Sequence, residues 1–244
     1  MQCRCQPGNG LAGKSIALPT GPGKLIYLHH RIQTQPRRWQ SVAAALRSTM
    51  PVGGETEGTV YGIFRSQIGR PRDELTAITC WPDEPQASTA AQRWLKGVAD
   101  IREHTIAPMR PTLRPLTAKP PQHQGNYAFR YFETPAVHWQ EFLELCEGAW
   151  PDFESSYDSQ VIGLWRFAAP TLATEDDEDA VIESLLLTRR PNLAMWERSK
   201  IPQGEAEAEV RRKLNRRYDL CNSTVVFTST LLTAVDREDK ERWT

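Results

Sequence analysis

The chain has 244 residues, of which 39% are hydrophobic, and its thirty basic and thirty acidic residues give a formal net charge of zero. A balanced charge has no summed field to attract nucleic-acid phosphates, and no apolar run approaches the roughly 18 residues of a membrane span, so neither nucleic acid nor membrane is expected as a partner. The five cysteines are too few and too scattered for a secreted disulfide framework, which favours a reducing, cytoplasmic location.

Residues 1–23 are rich in proline and glycine, so they are expected to form a flexible N-terminal tail. Residues 8–15 (GNGLAGKS) match both the phosphate-loop and the dinucleotide-binding patterns, but both sites need a buried strand before the glycines and a helix after them. Neither is predicted, so nucleotide binding is not expected. Cys3 and Cys5 lack a second pair at metal-ligand spacing, which argues against zinc. The first 54 residues contain no Asp or Glu, a trait of transit peptides, but amphipathic spacing is missing.

A short apolar segment that ends in arginine occurs twice. Residues 60–65 (VYGIFR) return as residues 161–166 (VIGLWR), 101 positions later. The preceding residues also recur, at a constant offset of 100, and a one-residue insertion accounts for the difference. This period is too long for a solenoid unit and indicates a domain-sized duplication. The matching pairs are Tyr27 and Tyr127, Thr34 and Thr134, Trp39 and Trp139, Gln40 and Gln140, and Pro51 and Pro151.

The first repeat, residues 24–116, has the predicted order βαββαβ. Pro108 and Pro111 fall in its last strand, where they cannot donate ladder hydrogen bonds, so that strand is predicted to lie at an edge. The strands are predicted at about residues 25–33, 59–67, 75–81 and 103–114, with helices that begin at Pro36 and Pro85.

A proline-rich linker, residues 117–125, leads into the second repeat, residues 126–233, and residues 234–244 form a predicted C-terminal tail. Within this repeat the acidic run 175–179 favours a solvated turn over a calcium site, because the spaced ligands of a calcium loop are missing. Strands are predicted at about 127–133, 160–168, 180–189 and 224–232, with helices after Pro135, at 192–199 and at 204–220.

The long helix at 204–220 carries acidic residues near its start and basic residues near its end. This order suits the helix dipole and predicts ion pairs between Glu207 and Arg211 and between Glu209 and Lys213, four residues apart. The charges are therefore interpreted as a stable exposed face.

These features resemble the NIPSNAP family of the dimeric α+β barrel superfamily. The likeness rests on two βαββαβ units, a Trp-Gln pair on each first helix, the repeated glycine-containing strand and residues 190–199 (RPNLAMWERS), and it covers about residues 24–233. It implies an α+β fold in which two tandem ferredoxin-like sheets close a barrel within one chain. The superfamily includes cofactor-free monooxygenases, haem-degrading enzymes and haem peroxidases, and no settled catalytic motif of the family carries over.

The function predicted from this resemblance is binding of a small, partly apolar organic molecule, with cofactor-independent oxygenase or isomerase-like chemistry at most. Two alternatives stay open, a non-catalytic binding or interaction scaffold and a haem-binding barrel. Haem is disfavoured because it needs an axial ligand inside the barrel, and His138 is the only histidine of the second repeat. No cofactor or metal is expected, a homo-oligomer is left open, and the sequence does not decide whether the protein is an enzyme.

The candidate catalytic residues are His30, Arg65 and His104. His30 lies in a strand among apolar residues, where it could move a proton or serve as a hydrogen-bonded core residue. Arg65 could hold an anionic or enolic oxygen beside it, and His104 is the reserve candidate.

Arg130 and Arg166 are the candidate ligand-binding residues, because they replace His30 and match Arg65 in the second repeat. A buried guanidinium needs an anion or a carboxylate as its partner, and that partner could be a substrate or a structural side chain. A cavity lined by His30 or Arg65 would favour a ligand-using protein, whereas sheet faces filled by aromatic residues such as Tyr27, Phe129 and Tyr131 would favour a scaffold.

Overall fold

The computed structural model describes residues 25–49, 58–82, 84–168 and 180–237. Each repeat contributes four strands to the fold. In the first repeat the elements are β1 (Ile26–Thr34), α1 (Trp39–Thr49), β2 (Thr59–Ile68), β3 (Glu74–Trp81), α2 (Glu84–Lys96) and β4 (Ile101–Arg114). In the second they are β5 (Asn126–Pro135), a 3-10 helix (Ala136–His138), α3 (Trp139–Ser156), β6 (Gln160–Phe167), β7 (Val181–Arg190), α4 (Leu193–Arg198), α5 (Glu205–Asp219) and β8 (Ser223–Leu231).

The eight strands form one closed barrel in the order β1-β3-β2-β8-β5-β7-β6-β4, and all its pairs are antiparallel. Each repeat alone has the order β4-β1-β3-β2 or its equivalent β8-β5-β7-β6. The two sheets join at two seams, where β2 pairs with β8 and β4 pairs with β6. This confirms the predicted α+β fold of two tandem ferredoxin-like units that close a barrel within one chain.

Strand alternation divides the buried residues into three cores. The first repeat packs one sheet face against α1 and α2, and the second packs the equivalent face against α3 and α5. The two remaining faces meet inside the barrel. Its interior core contains Tyr27, Tyr61, Phe64, Ile78, Cys80, Met109, Tyr127, Phe129, Ile162, Trp165, Leu185, Leu187, Phe227 and Leu231.

Helix α1 begins at Trp39 and not at Pro36 as predicted. Arg37 has a positive φ of 65°, a left-handed conformation that cannot continue a right-handed helix. The backbone amide of Arg37 instead donates to Asp73 Oδ1 at 3.1 Å, which ties this turn to the β2–β3 hairpin.

The predicted edge position of β4 is wrong for the closed molecule. The strand is the edge of the first repeat's own sheet, but β6 covers it at a seam. Proline has no amide hydrogen to donate to the strand ladder, and the β4–β6 register shifts between Pro111 and Arg114. Pro108 still contributes its carbonyl, which accepts from the amide of Ala168 at 3.0 Å.

The two predicted ion pairs of α5 are also replaced by others. Glu207 pairs with Arg198 of α4 at 2.7 Å, and Arg212 binds both Glu205 and Glu209. Arg211 donates instead to the Ser199 carbonyl at 2.9 Å. Docking of α4 beside α5 supplies the partner that sequence spacing alone could not show.

The predicted tail with its glycine-rich motif and two cysteines lies outside the described residues, as does the acidic run 175–179. Within the described ranges, no helix is long and apolar enough to cross a membrane. The same ranges contain no group of three or more His, Cys, Asp or Glu side chains that could hold a metal ion.

Candidate functional site

The barrel interior is filled by aromatic side chains. Phe129 and Phe227 stack with centroids 5.0 Å apart and planes at 3°, and Phe64 meets Phe129 edge-on at 5.0 Å. Tyr131 stacks on Phe167 at 6.1 Å, and the buried Tyr27 ring closes the interior further along. These filled faces are the arrangement expected of a scaffold, so a ligand chamber has to be sought in the layers between sheets and helices.

His29 points into this barrel interior, although it is not among the predicted site residues. Its Nε2 shares a hydrogen bond with the Tyr131 hydroxyl at 3.0 Å. Burial, reinforced by the positive charges of Arg70 and Arg31, lowers the pKa of His29 to about 3. The imidazole is therefore neutral near pH 7 and serves as a packed, hydrogen-bonded core residue.

His30 points to the opposite side of β1, into the layer under α2. Its Nε2 lies 2.8 Å from Thr79 Oγ1, and its ring meets Trp94 edge-on at 5.5 Å. Burial, with contributions from His29 and His104, lowers the pKa of His30 to about 3. His104 itself is exposed on β4, opposite Ile32. The structure thus gives His30 the contacts of a neutral core histidine.

Arg65 lies against a different helix, since its guanidinium carbon is 4.2 Å from the ring centroid of Trp39 on α1. A cleft of about 540 Å³ adjoins the same tryptophan. Among the described residues, neither His30 nor Arg65 belongs to its lining, so the structure does not gather the predicted catalytic residues in one cavity. The cleft is lined by Trp39, Gln40, Ala43, Ala44, Arg47, Leu232, Thr233, Ala234, Val235 and Arg237.

Arg166 is half-buried on β6, where it pairs in register with Arg110 of β4 and Ser184 of β7. It therefore stands at a seam of the barrel. Arg130 has a different environment, because it lies on the helix-facing side of β5 beneath α5, where its guanidinium carbon is 5.2 Å from the Tyr218 ring centroid.

Four arginines gather between the second sheet and α5, namely Arg130, Arg190, Arg211 and Arg217. Burial and the nearby charges of Arg217 and Arg211 lower the pKa of Arg130. Burial and the charges of Arg130 and Arg211 lower the pKa of Arg190, at the end of β7, to about 10. The Arg130 and Arg190 guanidiniums are thus destabilised by desolvation and by like charges, a combination that favours a bound anion, whereas the Cys146 and Tyr218 side chains raise the pKa of Arg217 against the effect of its burial.

Arg217 is the most deeply buried member of the cluster, with 2% of its surface exposed. Its guanidinium carbon lies 4.9 Å from the Phe132 ring and 5.0 Å from the Tyr218 ring, and Nη1 contacts Cys146 Sγ at 3.6 Å. Burial raises the pKa of the Cys146 thiol, so the thiol stays neutral and does not cancel the arginine's charge. Nε of Arg217 has no hydrogen-bond partner among the described residues.

The three glutamates of α5 are engaged by arginines outside the cluster. Glu207 accepts two hydrogen bonds from Arg198, at 2.9 and 2.7 Å, and one from the Gln203 amide. Glu205 and Glu209 bind Arg212. Across the described parts of the chain, Arg130, Arg190 and Arg217 form no ion pair with a carboxylate. The cluster therefore carries uncompensated positive charge.

Tyr218 lies within this cluster. Burial alone raises the pKa of its phenol, but the positive charges of Arg217 and Arg130 outweigh that effect and lower the pKa below its usual value. The ring also stacks on Phe132, with centroids 6.1 Å apart. A phenol among cations can ionise more readily than an ordinary tyrosine and can handle protons.

The arginine cluster was only partly visible in the sequence. Arg130 is a predicted ligand-binding residue, whereas Arg190 belongs to segment 190–199, on which the family resemblance rests. Arg211 and Arg217 fall on the helix face predicted to be exposed, and no role is predicted for Tyr218. The signal was nevertheless present, since Arg217 falls seven residues after Val210, on the apolar stripe of α5. A charged residue on such a stripe indicates a buried site that needs a partner.

The histidines do not fit an axial haem ligand. Nε2 of His29 and Nε2 of His30 are engaged by Tyr131 and Thr79. His104 is exposed, His123 pairs with Asp236 at the surface, and His138 lies half-buried in the 3-10 helix outside the barrel. No chemical step is therefore assigned to haem.

Comparison with solved structures shows the dimeric α+β barrel fold. The chain is similar to a protein proposed to be a monooxygenase from Lactobacillus acidophilus NCFM, with 9% identity, a TM-score of 0.52 and coverage of 86% of this chain and 97% of that one. An anthrone oxidase-like protein has 10% identity and a TM-score of 0.53, with coverage of 85% of this chain and 91% of that one. A mutant chlorite dismutase from Candidatus Nitrospira defluvii has 9% identity and a TM-score of 0.51, with coverage of 86% of this chain and 92% of that one. At these identities the likeness is one of fold alone.

No protein-family model matches the chain, and no curated protein sequence matches it. Membership of the NIPSNAP family therefore stays a prediction, and the comparison with solved structures supports the fold alone.

Proposed function

We propose that this dimeric α+β barrel protein binds a small, partly apolar organic anion between its second sheet and helix α5. The observation that carries the proposal is the cluster of Arg130, Arg190 and Arg217, which is buried or half-buried without a carboxylate partner in the described ranges. The proposal keeps the predicted class of ligand and the predicted ligand-binding residue Arg130, and it leaves out the predicted catalytic residues His30 and Arg65.

Energetics favour an anion at this place. An unpaired charge in a protein interior costs several kcal/mol, and two more guanidiniums nearby add repulsion. A carboxylate would offset both terms, because guanidinium groups bind carboxylates through paired, charge-assisted hydrogen bonds. Without such a ligand the desolvation of Arg130 and Arg190 is offset only in part, by their stacking on Tyr218, Phe153 and Trp196.

The surroundings of the cluster suit an apolar body on that anion. The guanidinium carbon of Arg190 lies 5.0 Å from the Phe153 ring and 5.5 Å from the Trp196 ring. Such stacking fixes a guanidinium while its edge stays available for hydrogen bonds. A ligand that combines a carboxylate with an aromatic or aliphatic group therefore matches the layer on both counts.

The direct test is calorimetric titration with phenylpyruvate, an aromatic 2-oxo carboxylate, together with native mass spectrometry of small molecules retained after purification. We expect binding to the wild-type protein, and Arg130→Gln should weaken it about tenfold or more, because a charge-assisted hydrogen bond contributes roughly 1.5–3 kcal/mol. Arg216→Gln is the matched control, since this exposed arginine of α5 binds Glu141 instead. Equal affinity of wild type and Arg130→Gln would refute the site.

A second variant separates ligand binding from structural support. Arg217→Met keeps a similar side-chain volume but removes the charge, so phenylpyruvate affinity should fall, while loss of the cation–π contacts should lower the free energy of unfolding by only about 1–2 kcal/mol. Urea denaturation and calorimetry measure the two effects. A large loss of stability with unchanged affinity would instead show that Arg217 is a packing residue.

The alternative of a non-catalytic scaffold is favoured by one observation, the aromatic filling of the barrel interior. Under this alternative no small molecule is retained and phenylpyruvate does not bind. The same titration therefore distinguishes a scaffold from an anion-binding protein.

A further inference from the structure

We infer that Tyr218 is the proton-transfer residue of the arginine cluster, and that the substrates are carboxylates with an acidic C–H bond beside a carbonyl group. This inference rests on the proposed function and adds a chemical class of substrate and a reacting side chain to it.

Position is the first argument. Two guanidiniums approach the Tyr218 ring, with the carbon of Arg130 5.2 Å and that of Arg217 5.0 Å from its centroid. They come from different elements, β5 and α5, and Phe132 supports the ring by stacking. Tyr218 is also half-buried, whereas Arg217 is buried, so part of the Tyr218 side chain remains accessible.

Charge is the second argument. The charges that act on Tyr218 come from Arg217 and Arg211 of α5, Arg130 of β5 and Arg190 of β7. From α3, the neutral Cys146 thiol contacts Arg217. Burial raises the pKa of Tyr218, but the charges of Arg217 and Arg130 and a hydrogen bond with Arg217 outweigh it, so the phenolate is more accessible than that of an ordinary tyrosine.

Other tyrosines of the protein are placed differently. The Tyr157 hydroxyl donates to Glu207 at 3.3 Å, and Tyr157 has a raised pKa through burial and that carboxylate. The Tyr131 hydroxyl shares its hydrogen bond with His29, and burial raises the pKa of Tyr131. Tyr218 thus differs from both in the sign of its shift.

The chemistry follows from these groups. The phenolate oxygen of Tyr218 takes a proton from the carbon beside the carbonyl, so the C–H bond breaks and an O–H bond forms. The electron pair of the C–H bond becomes the C=C bond of an enolate, and the carbonyl electron pair moves to its oxygen. Arg130 holds that oxygen and Arg190 holds the carboxylate. Return of the proton to oxygen or carbon completes a tautomerisation, which needs no oxidant or cofactor.

The test is exchange of the methylene hydrogens of phenylpyruvate for deuterium in D2O, followed by proton NMR. We expect wild-type protein to accelerate exchange above the buffer rate, and Tyr218→Phe should lower that acceleration about 100-fold or more while phenylpyruvate still binds. Tyr127→Phe is the control, because its hydroxyl donates to the His123 carbonyl on the barrel side of β5, away from the cluster.

A second readout does not depend on turnover. Ultraviolet titration of tyrosinate should show one tyrosine that ionises before the others, and Tyr218→Phe should remove it. Arg130→Gln should shift that ionisation to higher pH.

The outcomes separate the two proposals. Phenylpyruvate binding without exchange, or equal exchange by wild type and Tyr218→Phe, overturns the role of Tyr218 and leaves the anion site standing. Absence of binding overturns both.

Discussion

The adjacent residues His29 and His30 show how strand alternation separates two identical side chains. One imidazole bonds to Tyr131 inside the barrel, and the other bonds to Thr79 in the layer under α2. Both are buried, and burial lowers the pKa of each to about 3. Both are therefore neutral when folded and take up protons only after unfolding in mild acid.

This pair predicts a loss of stability in acid. Unfolded histidines have a pKa near 6.5, so below that pH the unfolded chain binds protons that the folded chain does not. The histidine contribution is complete above pH 6.5 and decreases as the pH falls toward 3, by about 2 kcal/mol for each histidine at pH 5. Urea denaturation at pH 7 and pH 5 measures the difference.

Single variants assign this effect. The free energy of unfolding at pH 7 exceeds that at pH 5, and His30→Gln should reduce this excess by about 2 kcal/mol. An unchanged pH dependence in His30→Gln would contradict the assignment.

At the scale of the element, the duplicated strand segment has a structural role. Each copy contains a bulge before its glycine, since the register shifts between Val60 and Gly62 in β2 and between Val161 and Gly163 in β6. The ring two residues later, Phe64 or Trp165, folds back over the glycine toward the barrel interior. An aromatic ring that covers a strand glycine restores the packing that the missing side chain would have provided.

Replacement of this glycine should therefore be costly. A Cβ at position 163 would lie 2.3 Å from the Trp165 ring, which is fully buried and cannot move freely. Gly163→Ala should lower the free energy of unfolding by about 1–3 kcal/mol. Thermal and urea denaturation provide the measurement.

Gly148 in α3 is the matched control, because a Cβ there meets nothing closer than 3.9 Å. Gly148→Ala should stabilise the protein by roughly 0.5–1 kcal/mol, as expected for glycine in a helix. The explanation fails if both variants change stability equally.

At the scale of the whole molecule, the two repeats depend on each other. Their barrel faces form one shared core, and the seams leave no strand of either sheet unpaired at its edge. The connection between the repeats is tied down as well. Asp236 accepts from the Gln124 amide at 2.7 Å, and the Val235 amide donates to the Gln122 carbonyl at 2.8 Å.

The predicted boundary at residues 117–125 consequently does not predict two separately stable domains. Expressed alone, residues 25–116 would expose the aromatic barrel face and the edges of β2 and β4. We expect this fragment to dimerise or aggregate, and coexpression with residues 117–244 to restore a monomer-sized complex with cooperative unfolding. Sedimentation velocity and near-ultraviolet circular dichroism provide the readouts. A stable, monomeric half would contradict the shared core.

The amino-acid sequence by itself determined the two βαββαβ units. A duplication at an offset of 100 residues, with period-2 and period-3.6 patterns in each copy, predicts them because these signals are local and occur twice. Closure of the two sheets into one barrel is what the resemblance to the dimeric α+β barrel superfamily implies, and the structure confirms it. The start of α1 was predicted too early, because Arg37 adopts a left-handed conformation. The ion pairs of α5 were predicted with the wrong partners, because the neighbouring α4 supplies Arg198.

Tertiary structure alone decided which side chains share a site. His30 and Arg65 belong to strands of the same repeat, but the fold places His30 under α2 and Arg65 against α1. Arg130, Arg190 and Arg217 are far apart in the chain and meet only because β5, β7 and α5 pack together. Charge in a sequence does not reveal burial, and desolvation together with missing carboxylate partners turns three ordinary arginines into a candidate anion site.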